Sequence, residues 1–99
     1  MASKAEIVGG IRKFVGGSDD RTRGHWYVGI ATDIEERLFG DHNVDKGDAR
    51  HYIYYMADSE QTARAAEAEL LDLGYDGGVG GGDHPRYVYA FLKTANTRR

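Results

Sequence analysis

Three runs of aromatic and branched residues, interleaved with stretches of helical apolar spacing, predict an α+β domain in which a three-stranded sheet carries helices. At 99 residues the chain holds one core of that kind and is too short for two, so residues 1–99 read as a single domain. No internal repeat divides it.

From Lys4 to Val15, the residues Ile7, Val8, Ile11, Phe14 and Val15 recur at helical spacing, although Gly9 and Gly10 each lower helix propensity by roughly 1 kcal/mol. The segment reads as an amphipathic helix, or as strands around Glu6 to Val8 and near Phe14; both stay open. Residues 16–24 are polar and glycine-flanked, a loop. His25 to Ala31 favours a strand, with Trp26, Val28 and Ile30 on one face and His25, Tyr27 and Gly29 on the other. Thr32 and Glu35 have the spacing of a capping box, which opens a short helix through about Phe39 with Ile34 and Leu38 facing the core. An irregular polar connection through Gly40, Asp41, Asn43, Gly47 and Asp48 leads to a second strand at His51 to Ala57. Ser59 is a good cap for the strongest helix, Glu60 to about Leu73, which Gly74 stops. Residues 77–82 are too glycine-rich for regular structure, Tyr87 to Leu92 alternates as a last strand, and residues 94–99 read as a frayed tail.

Hydrophobic residues make up 40% and charged residues 29%, the balance of a chain that folds. Without cysteine there are no disulfides, zinc–thiolate sites or thiol nucleophiles, and a metal would need oxygen or imidazole ligands. No apolar run approaches the roughly 20 residues of a membrane span, and no secretory pattern opens the chain, so no membrane association and a cytoplasmic location are expected. A formal net charge of -3 argues against nonspecific coating of nucleic acid. Arg12, Lys13, Arg21, Arg23, Arg98 and Arg99 are either a local basic patch or solvated surface charge.

Tyr27-Val28-Gly29, followed ten residues after the tyrosine by Arg37 on a helix that begins with Thr32-Asp33, resembles the second half of the GIY-YIG nuclease signature. Downstream, Asp58-Ser59-Glu60 and then Ala65-Ala66-Glu67-Ala68-Glu69-Leu70-Leu71 resemble the helix whose glutamate holds that family's divalent metal. The likeness runs from His25 to Leu73. It implies a mainly antiparallel sheet flanked by helices, endonuclease cleavage of DNA, and magnesium or manganese as cofactor. It also implies a site of Tyr27, Arg37, His42 and Glu67. In that site Glu67 would hold the metal, Arg37 would grip the scissile phosphate, Tyr27 would stand near the attacking water, and Gly29 and Arg37 would face the nucleic acid.

The sequence departs from the family pattern in three places. The family's first Gly-Ile-Tyr strand, whose tyrosine is implicated in activating water, has no counterpart, because no tyrosine stands between Met1 and Gly24. His42 comes five residues after Arg37 where four is usual, and Asp41 takes that place. Either a local bulge restores the alignment or the histidine is lost, and loss is the favoured reading. Val88 stands where the family's asparagine is expected.

These residues also have a physics of their own. On the long helix Glu67 falls within the apolar arc of Ala63, Ala66, Leu70, Leu71 and Leu73, whereas Glu69 falls outside it. A carboxylate so placed needs a cation or hydrogen-bond donors, which either a metal or a neighbouring side chain could supply. Arg37 follows Asp33 by four residues, so it is either an intrahelical ion pair or a phosphate-binding guanidinium. Gly29 would admit a nucleic-acid backbone or a neighbouring helix. The 77–83 loop lacks the lysine and the serine or threonine of a phosphate-binding loop, and His25, His51 and His84 have no metal-ligand spacing. Two functions are therefore expected: metal-dependent cleavage of DNA, or a noncatalytic module on the same scaffold that binds nucleic acid or a protein partner.

Overall fold

Ser3 opens the first helix with a capping box: its hydroxyl accepts from the Glu6 N–H, and the Glu6 carboxylate accepts from the Ser3 N–H. In the computed structural model, which describes residues 1–16, 24–78 and 84–98, helix α1 spans Lys4–Val15 and buries Ile7, Val8, Ile11 and Val15. Of the two readings of this segment, the helix holds. Gly10 has a packing reason, since a side chain there would overlap the Tyr55 hydroxyl.

Strand β1 follows at Trp26–Ala31, then a short helix α2 at Glu36–Asp41, β2 at Tyr52–Met56, α3 at Glu60–Asp72, β3 at Asp76–Gly77 and β4 at Tyr87–Leu92. The sheet order is β2-β4-β1-β3. Strand β4 is antiparallel to both β2 and β1, and β3 runs parallel to β1. The α+β class is as expected, but the sheet has four strands rather than three and is mixed. Strand β3 escapes a sequence reading because it is only two residues long and contains Gly77. Any side chain at Gly77 would crowd Leu71 and the Val28 carbonyl, so glycine allows this edge to pair.

Register determines what each face carries. Tyr27 stands opposite Phe91 and Gly29 opposite Tyr89, while Tyr52 and Tyr54 stand opposite the same two residues from the other side. One face is therefore aromatic, and it packs with Ile34, Leu38 and Val44 from the segment around α2. The opposite face presents Trp26, Val28, Ile30, Val88 and Ala90 to the apolar sides of α1 and α3, including Ala63, Ala66 and Leu70. Ser59 caps α3 as expected by accepting from the Thr62 N–H.

Residues 94–98 of the expected frayed tail are tied down by hydrogen bonds. The Thr97 N–H donates to the Thr94 carbonyl at 3.3 Å, the Thr94 N–H donates to the Thr97 hydroxyl at 2.9 Å, and the Arg98 N–H donates to the His42 carbonyl at 2.7 Å. Residues 17–23 of the expected loop, residues 79–83 of the glycine-rich stretch, and residue 99 lie outside the described residues. Among the described residues, no helix is long and apolar enough to cross a membrane.

Candidate functional site

Strand β1 delivers Tyr27 to the aromatic face, where its ring stacks on Phe91 with centroids 5.1 Å apart. Two residues on, Gly29 leaves the gap that the Tyr89 ring and hydroxyl fill, and a side chain at Gly29 would overlap both. The close approach expected at this glycine is thus made by a tyrosine of the neighbouring strand, not by a helix.

After β1 the chain turns into α2 through Asp33, whose carboxylate accepts from the Glu36 N–H at 3.2 Å. The helix then widens: the His42 N–H donates to the Arg37 carbonyl at 3.0 Å, a five-residue step in place of the usual four. This π-type turn absorbs the extra residue between Arg37 and His42. Of the two alternatives, the local bulge is present, and it places His42, only 4% exposed, on the aromatic face. Asp41 is left outside, where it pairs with Arg37 at 3.3 Å. Among the described residues this arginine pairs with Asp41, not with Asp33.

His42 occupies the junction of the aromatic face. Its Nε2 lies 2.7 Å from the Tyr89 hydroxyl and its Nδ1 lies 2.7 Å from the Arg98 carbonyl. Its ring centroid is 4.9 Å from that of Tyr27 and 4.7 Å from that of Phe91. Burial holds the His42 pKa below its ordinary value, the Arg98 carbonyl opposes that shift, and the charge of Arg37 adds to it. Burial also pushes the Tyr89 phenol well above the ordinary range, and the neighbouring Tyr27 phenol and Glu67 carboxylate push the same way. Against them, the positive Arg37 guanidinium lowers the Tyr89 pKa. Tyr27, Tyr89, Arg37 and Glu67 are thus close enough for their charges to act on one phenol.

Helix α3 presents Glu67 half-buried, and burial raises its carboxyl pKa against a smaller opposing effect of Arg64. Glu69, two residues on and on another side of the helix, is instead satisfied by Lys4 at 3.1 Å. No hydrogen bond or ion pair meets the Glu67 carboxylate among the described residues. A half-buried carboxylate whose burial is offset only by the charge of Arg64 could hold a hard divalent cation, and magnesium typically takes only one or two protein carboxylates, with water and substrate oxygens completing its shell. Among the described residues no group of three His, Asp or Glu side chains is arranged as a metal site.

The structure therefore places Tyr27 and His42 together on the aromatic face and adds Tyr89, which the sequence reading missed; Arg37 from α2 and Glu67 from α3, the latter packed on the other face, act on the Tyr89 phenol through their charge. The Tyr87-Val88-Tyr89 alternation was its signal, but only pairing with β1 shows that Tyr89 faces Gly29. Val88 is fully buried in the core on the opposite face. His51 and His84 are held by Asp48 and Glu60, at 2.9 Å and 3.0 Å. A cavity of about 240 Å³ lies between the 43–51 connection and residues 94–97, and none of Tyr27, Arg37, Glu67 or Tyr89 lines it. No protein-family model, curated protein or solved structure matches the chain.

Proposed function

We propose that this chain is a metal-dependent nuclease on a GIY-YIG-like scaffold whose first tyrosine is supplied by its last strand. The packing of Tyr27, Tyr89 and His42, with the charges of Arg37 and Glu67 acting on the Tyr89 phenol, supports the reading. The tyrosine that the resemblance asks for upstream of Tyr27 has a substitute in Tyr89, because β4 lies antiparallel beside β1 where a preceding hairpin strand would lie.

In this reading a DNA phosphate enters beside Arg37. Asp41 already shows that the guanidinium is accessible to an anion, and an exposed pair of this kind is worth at most about 1 kcal/mol, so a phosphate can displace it. The phenols of Tyr27 and Tyr89 orient the attacking water. Its oxygen bonds to phosphorus as the bond to the leaving oxygen breaks; one proton leaves the water, and the leaving oxygen takes one from solvent. Arg37 offsets the charge that develops on the phosphoryl oxygens. Magnesium or manganese on Glu67, when bound, supplies further positive charge at the same place.

The experiment is cleavage of duplex DNA by the full chain with added magnesium, compared with Arg37→Ala and Glu67→Ala. Cutting that needs metal and disappears in both variants supports the proposal. Equal background in all three sinks it.

The net charge of -3 favours a second reading, a noncatalytic module that binds nucleic acid or a protein partner through the same face. It predicts binding that survives both chelation and Glu67→Ala.

A further inference from the structure

A neutral phenol can take a proton from water only if it passes its own proton on, and the geometry around Tyr89 shows where that proton goes. Two acceptors and one donor decide the matter. The Arg98 carbonyl, 2.7 Å from His42 Nδ1, can only accept, so Nδ1 carries a proton. The buried imidazole is held neutral, with its pKa shifted down chiefly by burial, so its single ring proton is used there and Nε2 is bare. Nε2 must then accept, and its partner among the described residues is the Tyr89 hydroxyl at 2.7 Å. A bare Nε2 can only accept, so the O–H of Tyr89 is directed at His42.

We propose that residues 94–98 are a strap that positions this relay: the Arg98 carbonyl fixes the His42 tautomer so that Nε2 stands as the acceptor for the Tyr89 proton. The strap is held at three points independent of the imidazole. The Arg98 N–H donates to the His42 carbonyl at 2.7 Å, the Asn43 amide donates to the Asn96 carbonyl at 2.9 Å, and the Thr94–Thr97 turn closes on itself. Asn43 adopts a left-handed backbone with φ 55°, which turns the chain from His42 toward this contact. The charged and titratable groups acting on the relay are Arg37, Asp41, Tyr27 and Glu67.

As a proton path, the Tyr89 proton passes to His42 Nε2 as the Tyr89 oxygen takes up the proton released in the site; the Tyr89 side chain is 1% exposed, so this step requires the phenol to be uncovered when substrate binds. The resulting imidazolium keeps its Nδ1–H on the Arg98 carbonyl and later returns its proton to solvent. Arg98 acts here as a positioning residue through its backbone, and the role of the relay in cleavage rests on the nuclease reading above. The tautomer itself does not.

The test is the ring ¹⁵N spectrum of His42 in the full chain at neutral pH, for the wild type and for Asn43→Gly with Arg98→Pro. Glycine keeps the left-handed backbone while removing the amide, and proline removes the N–H that ties residue 98 to His42. The expected wild-type result is one tautomer, protonated at Nδ1 and bare at Nε2. The double variant should show ring signals averaged between the two tautomers, with kcat lowered and KM unchanged if the chain cuts DNA. A wild-type ring protonated at Nε2 overturns the strap, and so does a double variant that keeps the single wild-type tautomer. If the double variant does not fold, the wild-type spectrum and Asn43→Gly alone, with partial averaging expected, still decide. A strap-dependent tautomer in a chain that cuts no DNA sinks the nuclease reading and leaves the strap standing.

Discussion

The two faces of the sheet are built by opposite means. Toward α1 and α3 the face is Trp26, Val28, Ile30, Val88 and Ala90, and its stability comes from apolar surface removed from water, which has no directional requirement. Toward α2 the face is Tyr27, Tyr89, Phe91 and His42, whose buried polar atoms must each find a partner at a fixed angle. Each face receives a tyrosine over a glycine, Tyr55 over Gly10 and Tyr89 over Gly29. On the first face the ring fills space. On the second it carries a hydroxyl into a relay. A small domain can therefore hold a polar site on one side of its sheet because the other side supplies the stability.

That difference can be broken in a graded way. The largest loss is expected on the apolar face, where Ile11→Ala empties a fully buried position and should cost about 2–5 kcal/mol in denaturant unfolding. The His42 ring signals of the folded fraction should be unchanged; a changed tautomer would show that the two faces are not independent. Next, Gly29→Ala drives a methyl group into the Tyr89 ring and hydroxyl, and should cost about 3 kcal/mol through overpacking and the displaced hydrogen bond. Unlike Ile11→Ala, it should also disturb the His42 signals, and a silent Gly29→Ala would contradict the close approach. Tyr89→Phe keeps the ring but leaves buried Nε2 without its donor, for about 2 kcal/mol.

The smallest effect should have the opposite sign. The Glu67 carboxyl pKa is raised in the folded chain, so its ionised form opposes folding: the group's favourable share is complete below its unfolded pKa of about 4.5 and is lost as pH rises through the raised folded value. Glu67→Gln mimics the protonated form. It should raise Tm at pH 7 and leave it unchanged at pH 4, measured without metal. A lowered Tm at pH 7 would mean that Glu67 is a structural partner rather than a residue held at a cost for function.

Most elements of this fold were legible because their residues carry local signals. Tyr87 to Leu92 alternates over its whole length, and Ser59 with Glu60 to Asp72 has both a cap and helical composition. What was hidden depends on pairing between distant segments. Asp76–Gly77 has no strand pattern and becomes one by lying beside Tyr27 and Val28. His42 looked displaced because a regular helix was assumed from Arg37 onward, and the widened turn that restores it leaves no mark in composition. Tyr27, Arg37 and Glu67 were recognisable from spacing within about half the chain. Tyr89 was not, since its place beside Gly29 follows from the sheet order, and Arg98 was not, since it acts through a carbonyl that every residue possesses.

The claim that ties these features together is that Tyr89 belongs to the cleavage site. The measurement that tests it is the rate of magnesium-dependent DNA cleavage by Tyr89→Phe against the wild type, at equal folded concentration confirmed by the core amide signals. Loss of a residue acting in proton transfer should lower kcat by about 100-fold or more while KM changes little. A Tyr89→Phe chain that cuts as fast as the wild type would contradict the claim.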